Sequence, residues 1–418
     1  MMRIYYRLFL LLFFLTRLAY AQHYDIVIKG GHVIDPENNI DGVMDIAVKD
    51  GKIALVSGNI NVSDAVQVVI ARGLYVIPGI IDIHTHVFYG NHPDQYLMDA
   101  TAAVVPDGFT FRNGVTTVVD AGSSGWRTFP LFKQQVIDRS QTRVFSFLNI
   151  VGAGMRGGAY EQDVNDMDPE QAADMAKANK ADIVGFKVAH FEAAAWTPVD
   201  NAVAAGKLSG LPVMIDFGGD DSHLPLSIED LFFKHLRPGD IYTHTFTELK
   251  RRDPVVDLQS RKLKPFVPEA KKRGIVFDVG FGGASFDFRQ AIPALKTGFY
   301  PNSISTDLHT GSMNAAMKGM LNIMSIFLAM GMPFPEVVKA STWNPAVEIQ
   351  HPELGNLSAG SVADIAILHL RSGNFGFWDR EGNKLKSKYR LECEMTIRAG
   401  AIVYDLNGIT EPEVVKKN

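Results

Sequence analysis

The chain has 418 residues, 46% of them hydrophobic and 21% charged, enough for one large domain or two ordinary ones and too apolar for disorder. Lys and Arg number 41 against 46 Asp and Glu, a net charge of −5, so the balance argues against a nucleic-acid partner. The single cysteine, Cys393, excludes an internal disulfide and any cysteine-built metal site, so a bound metal would have to use His and carboxylates.

In chain order, MMRIYYR, LFLLLFFL and TRLAYA form a positive segment, a short apolar segment and a small-x-small site at Ala19-Tyr20-Ala21. This is the pattern of a signal peptide over residues 1–21. The apolar run is well short of the roughly 20 residues that span a bilayer. Gln22, where a lipoprotein would carry Cys, leaves an exported protein, periplasmic or secreted, with no membrane association after cleavage. Residues 22–77 read as short alternating strands with tight turns, Asp50-Gly51 being a hairpin signal. A second β stretch covers 363–370 and 395–408. The two ends, 22–77 and 355–418, are therefore expected to build one composite β domain, a small β-sandwich.

Between them, over 78–354, eight apolar runs recur: GIIDIHTHV (79–87), TTVVDAG (116–122), RVFSFLNIVG (143–152), DIVGFKVAH (182–190), PVMIDFGG (212–219), DIYTHTF (240–246), IVFDVGFGG (275–283) and NSISTDLH (302–309). Near-continuous apolar strands alternating with helical stretches predict parallel strands buried on both faces, and their number and span fit an α/β fold of the (β/α)8 TIM-barrel type. An open doubly wound sheet is the alternative, but GAGMRGG and GFGGAS lack the spacing or context of a dinucleotide turn.

The chemistry sits in these runs. His84 and His86 are two apart on a strand and so share a face with Asp82. Two imidazoles and a carboxylate inside a barrel would be costly unless ligated or hydrogen-bonded. Lys187 lies in an apolar strand, where a free ammonium needs a charge partner or a shifted pKa. Gly185 and Ala189 on its face leave room around the amine. A neutral lysine can add carbon dioxide and become a carbamate able to bridge two cations; the alternative is a Lys paired with an inward Asp. His244 and Asp307 are polar residues toward the C-terminal ends of apolar strands, where barrel active sites are built.

PGIIDIHTH, a lysine on the fourth strand, THTF on the sixth, an aspartate on the eighth and the tail GNLSAGSVADIAIL (355–368) resemble the amidohydrolase superfamily of metal-dependent hydrolases, in its dihydroorotase-like and deacetylase branch. The likeness covers nearly the whole chain after the leader. It implies two divalent metal ions, zinc with manganese as the alternative, and carbon dioxide held as a carbamate on Lys187. His84 and His86 would bind the more buried ion, Lys187 would bridge, His244 would bind the second ion, and Asp307 would be ligand and general base. Two positions depart from that branch. Its fifth strand normally supplies a histidine, whereas this chain has Asp216, an acceptable ligand for zinc or manganese or else a structural aspartate with an incomplete metal site. Relatives often carry Arg two residues after the lysine, where this chain has Ala189 followed by His190.

Weaker substrate candidates are Arg156 in the loop after the third strand, whose guanidinium suits a carboxylate, His190, and His309, which shares a face with Asp307. His23, His32, His351 and His369 are read as structural residues in or beside the β domain, and the Met-rich segment 311–332 as helical core. The reading predicts an enzyme that hydrolyses amide, cyclic amide or ester bonds of a small molecule. The alternatives are a catalytically silent barrel that binds or scaffolds, and a mononuclear deaminase, which would want a His on strand five with Glu at the position of Gly218. A homo-oligomer is left open.

Overall fold

A computed structural model describes residues 23–90, 102–216, 226–250 and 252–411. The leader expected over 1–21 lies outside the described residues, as do residues 217–219 of the fifth apolar run. Among the described residues no helix is long and apolar enough to cross a membrane.

Two sheets organise the chain. The first is mixed and eight-stranded, in the order β15-β14-β13-β5-β1-β2-β3 with β4 also on β1. Its members are β1 (Tyr24–Asp35), β2 (Ile40–Lys49), β3 (Lys52–Ser57), β4 (Ala65–Ile70) and β5 (Tyr75–Pro78) from one end of the chain. From the other end come β13 (Ile365–Trp378), β14 (Lys384–Arg398) and β15 (Ala401–Asp405). The two-layer sandwich expected here is, in hydrogen-bonding terms, one sheet, because β5 pairs with β1 on one side and β13 on the other. Asp50 (φ 49°) and Gly51 (φ 73°) are both left-handed between β2 and β3, the conformation a two-residue hairpin needs. Inward Ile26, Ile28, Val48, Val76, Ile365 and Ile397 fill the core of this sheet. Cys393 is buried beside it, and that burial pushes its thiol up to about 12, which leaves it unreactive.

The second sheet is parallel, in the order β6 to β12: β6 (Ile80–Thr85), β7 (Val115–Gly125), β8 (Arg143–Asn149), β9 (Ile183–Val188), β10 (Val213–Ile215), β11 (Ile241–Tyr242) and β12 (Val276–Phe277). Every residue of β6, β7 and β9 is buried, as expected for strands covered on both faces. Helices such as Thr197–Ser209, Phe266–Arg273 and Phe288–Lys296 follow β9, β11 and β12.

The eighth predicted run is not a regular strand. It makes isolated parallel bridges, Ser303 to Asp278 after β12 and Leu308 to Thr85 of β6. Backbone bonds run from Val279 N to Ser303 O (3.0 Å) and from His86 N to Leu308 O (2.8 Å). The ladder is interrupted because Asp307 has φ 51°, a left-handed conformation that no extended strand accommodates. The fourth and sixth runs are shorter than predicted for the same reason, with His190 at φ 51° and His244 at φ 54°. Non-glycine residues in this region carry strain and cluster at functional sites; here all three turn polar side chains at the ends of strands.

Candidate metal centre

His84 lies one residue before the end of β6 and His86 just after it, and the left-handed turn at Asp307 brings that carboxylate beside both. Asp307 Oδ1 is 3.0 Å from His86 Nε2 and 3.6 Å from His84 Nε2. These three residues form a buried group whose ligand atoms all lie within 4.8 Å of one another. Four ligands placed tetrahedrally about 2.1 Å from one ion stand roughly 3.4 Å apart, so the spacing suits a single divalent ion.

The hydrogen bonds behind the ring fix the tautomer of His84. Thr243 Oγ donates to Asp278 Oδ2 (2.7 Å), so it accepts from His84 Nδ1 at 2.9 Å. Burial pushes the His84 pKa down to about 3. The ring is therefore neutral, with its Nε2 lone pair turned into the site. His244 repeats the arrangement, since its Nδ1 must donate to the Gly280 carbonyl at 2.5 Å. Its Nε2 then faces Asp216 Oδ2 at 3.4 Å. In both pairs an imidazole nitrogen faces a carboxylate oxygen at 3.4–3.6 Å, a nitrogen and oxygen donor set that suits a divalent cation.

Lys187 joins the two halves. It is fully buried at the end of β9, and its Nζ sits 3.1 Å from His84 Nε2 and 3.6 Å from Met214 Sδ. Among the described residues no carboxylate pairs with it. Burial lowers its pKa against the opposing charges of Asp216, Asp307 and Asp278, which favours the free amine. The room around it comes from a residue the sequence did not single out: a Cβ on Gly122 would stand 2.6 Å from Lys187 Cγ. Gly185, expected to open this space, makes way for the Phe147 ring instead, at 2.5 Å from an added Cβ.

Burial works to raise the pKa of Asp307, but His84, His86 and His244 outweigh it and hold the carboxyl well below the usual range. Asp216 behaves in the same way: burial opposes, and Arg252 and His244 win. Asp216 Oδ1 accepts from Arg252 Nη2, and its Oδ2 lies 3.7 Å from His190 Nε2. His190 bonds on its other side to the buried Glu161 (2.9 Å), whose second oxygen accepts from Gly157 N at 2.6 Å. Burial lowers the His190 pKa, but the Glu161 hydrogen bond and the Asp216 charge reverse the sign and raise it.

Of the residues predicted from sequence, His84, His86, Lys187, Asp216, His244, Asp307 and His190 come together. His309 stands at the rim, its ring centroid 6.3 Å from that of His86, where Nδ1 caps the helix Thr310–Met313 by accepting from Gly311 N. Arg156 lays its guanidinium 4.0 Å over the Tyr160 ring. His351, expected beside the β domain, stacks on Phe145 of β8 at 4.5 Å. Sequence reasoning missed Asp120, Asp278, Glu161 and Arg252. Asp120 accepts from Val87 N and Ser123 N at 2.8 Å each and so shapes the turn around His86. Asp120 and Asp278 carried the same signal as Asp307, a carboxylate inside an apolar run. Glu161 lies in the short helix Ala159–Gln162 and Arg252 in a loop, and neither carried one.

No protein-family model matches the chain. A deacetylase of Brucella anthropi is 32% identical over 351 residues, covering 82% of this chain and 83% of that one. A deacetylase of Enterococcus faecalis is 28% identical over 397 residues, 91% of this chain and 99% of that one. Among solved structures, an adenine deaminase aligns with a TM-score of 0.81 at 27% identity, covering 91% of this chain and 100% of its own. A dihydroorotase aligns at 0.78 and 28%, covering 91% and 99%. With the site geometry, these relatives make the chain a member of the amidohydrolase superfamily, a metal-dependent hydrolase of carbon–nitrogen bonds other than peptide bonds.

Proposed function

We propose that the chain is a binuclear deacetylase that removes the acyl group from a small N-acyl or O-acyl compound after export to the periplasm or beyond. The observation that carries the reading is the pair of inward imidazole–carboxylate contacts, His84 Nε2 toward Asp307 and His244 Nε2 toward Asp216, 3.6 and 3.4 Å from the carboxylate oxygens. His84, His86 and Asp307 would hold the first ion, and His244 with Asp216 the second. Lys187, as the carbamate formed by adding carbon dioxide to its neutral amine with release of a proton, would reach both. Segment 303–308, bridged to both edges of the parallel sheet, would close it into a (β/α)8 barrel. Zinc suits the nitrogen-rich first position, and Asp216 makes the second more tolerant of manganese.

Two divalent ions in such a site lower the pKa of water and polarise a carbonyl. Asp307, with 13% of its side chain exposed and its carboxyl held ionised, takes the proton of the attacking water at an Oδ and returns it to the leaving nitrogen or oxygen. Ser123, which shares a 3.1 Å hydrogen bond with His86 Nδ1, and Thr243 behind His84 keep the rings oriented.

The test is a panel of N-acyl amino acids, cyclic imides and acyl esters offered to the metal-loaded protein, with metal counted per chain. Two ions and turnover of an acyl compound are expected. No metal and no turnover would indicate a silent barrel; one ion with deamination would indicate a mononuclear deaminase.

A further inference from the structure

Away from the metal centre, a cleft of about 320 Å³ lies where the turn Phe111–Asn113 and the start of the helix Met320–Ala329 meet the paired arms of β13 and β14. It is lined by four cations, Arg112, Lys318, Arg371 and Arg390, and by one carboxylate, Glu392. Arg371 and Arg390 stand directly opposite each other in the β13–β14 ladder, a like-charge pairing that destabilises a sheet unless something neutralises it. Glu392 accepts from Arg371 Nη1 at 3.0 Å, and among the described residues no carboxylate or carbonyl engages Arg390. Lys318 is fixed at the wall, its Nζ 3.8 Å over the Trp378 ring and 3.3 Å from the Ala315 carbonyl. Burial and the charge of Arg390 lower its pKa, so the cations of the cleft work against one another. Beyond the cleft, the exposed Lys384, Lys386 and Lys388 extend the positive charge along β14, which draws anions toward it.

We propose that this cleft is a second ligand site and that it takes the phosphate group of a small soluble molecule. A phosphate monoester carries about 1.5 to 2 negative charges at pH 7 and three acceptor oxygens, which answers the excess of positive charge among the lining side chains. Guanidinium forks meet such oxygens with paired charge-assisted hydrogen bonds, and Lys318 adds a point charge. An anion between Arg371 and Arg390 turns their repulsion into a shared contact. The volume is that of an ordinary small-molecule pocket. The cleft shares no residue with the metal centre, so the site stands on its own observations and does not rest on the deacetylase reading.

The probes are inorganic phosphate and glycerol 3-phosphate, with glycerol as the uncharged control, titrated calorimetrically into the metal-loaded full-length protein. Co-sedimentation with phosphatidylglycerol vesicles tests the lipid-borne form of the same group. Both soluble phosphates should bind and glycerol should not. Arg390→Gln and Arg390→Glu should each weaken phosphate binding about ten- to one-hundred-fold and leave any turnover of acyl compounds unchanged. Without phosphate both variants should melt at or above the wild-type temperature, Arg390→Glu the higher because it faces Arg371 with an opposite charge. Phosphate should raise the melting temperature of the wild type and not that of Arg390→Glu. Four results would overturn the proposal. No binding of either soluble phosphate leaves the cleft without a ligand. Binding of equal strength in the variants places the anion on the metal ions. Association with vesicles alone makes the basic strand a surface for anionic lipid. A lower melting temperature in both variants makes Arg390 a structural residue.

Discussion

Asp307 and Glu348, at opposite ends of the parallel sheet, are carboxyl groups buried in opposite ways. At the end bearing His84 and His244, Asp307 and Asp216 are buried yet held ionised by the imidazoles and Arg252. At the opposite end Glu348 closes the helix Trp343–Glu348 and shares a cleft with Pro212, Asp240 and Val276 at the strand starts. Among the described residues neither of its buried oxygens has a hydrogen-bond partner, and the neighbouring Ser303 hydroxyl donates to Asp278 at 2.9 Å. Burial, helped by the charge of Asp278, pushes the Glu348 pKa up to about 8. Between them Asp278 resists burial because His84, Thr243 and Ser305 hold its charged form. Burial alone therefore does not decide the charge of a carboxyl in this protein; the partners do, as Asp240, buried in the same cleft as Glu348 but paired with Arg237, shows.

The largest effect expected from disturbing the charged end is that of Lys187→Ala. It should lose bound metal and turnover by about three orders of magnitude or more, because two-ion activation of water and carbonyl supplies several kcal/mol. Added short carboxylic acids should restore part of the activity by standing in for the carbamate. A variant with full metal content and wild-type turnover would break the assignment of Lys187.

Asp216 tests whether one carboxylate serves both the second ion and Arg252. Asp216→Ala should lose the second ion and most of kcat. It should also lower stability by roughly 3–5 kcal/mol, the usual cost of stranding one half of a buried ion pair. Asp216→His restores a ligand but not the ion pair, so it should keep metal, shift preference toward zinc and still melt earlier than the wild type. An Asp216→Ala protein with two ions, normal turnover and an unchanged melting temperature would reduce Asp216 to a bystander.

Glu348 predicts a smaller, pH-dependent effect. The folded pKa of Glu348 is raised, so its stabilising contribution is complete below the ordinary glutamate value of 4.5 and is lost as pH climbs through about 8. The loss accrues at up to about 1.4 kcal/mol per pH unit over that window. Glu348→Gln, which cannot ionise, should remove this contribution and melt higher than the wild type near pH 9 while leaving turnover unchanged. Parallel melting curves for the two proteins from pH 5 to 9 would show that Glu348 is not held neutral.

This contrast also explains what was legible in the sequence. Apolar runs revealed where buried strands lie, and a polar residue inside such a run, His84, Lys187 or Asp307, stood out against that background. The same rule would have found Asp120 and Asp278. It could not find Arg252 or Glu161, because a loop and a four-residue helix have no period from which a functional side chain departs. Nor could it foresee the left-handed turns at His190, His244 and Asp307, since alternation assumes extended backbone, and these turns shorten the strands and re-aim the side chains at the centre. The join at β5 was equally hidden, because strand pairing between residues about 290 apart leaves no local mark.

The central claim is that the inward imidazole nitrogens of His84 and His244, each facing a carboxylate, are ligands of two cations. Anomalous diffraction from crystals of the wild-type protein, collected at the zinc and manganese edges, tests it most directly. The account predicts two peaks, one among His84, His86 and Asp307 and one between His244 and Asp216, with carbamate density on Lys187. Metal-grown crystals with no peak at either position, or with a plain amine at Lys187 between two bound ions, would contradict it.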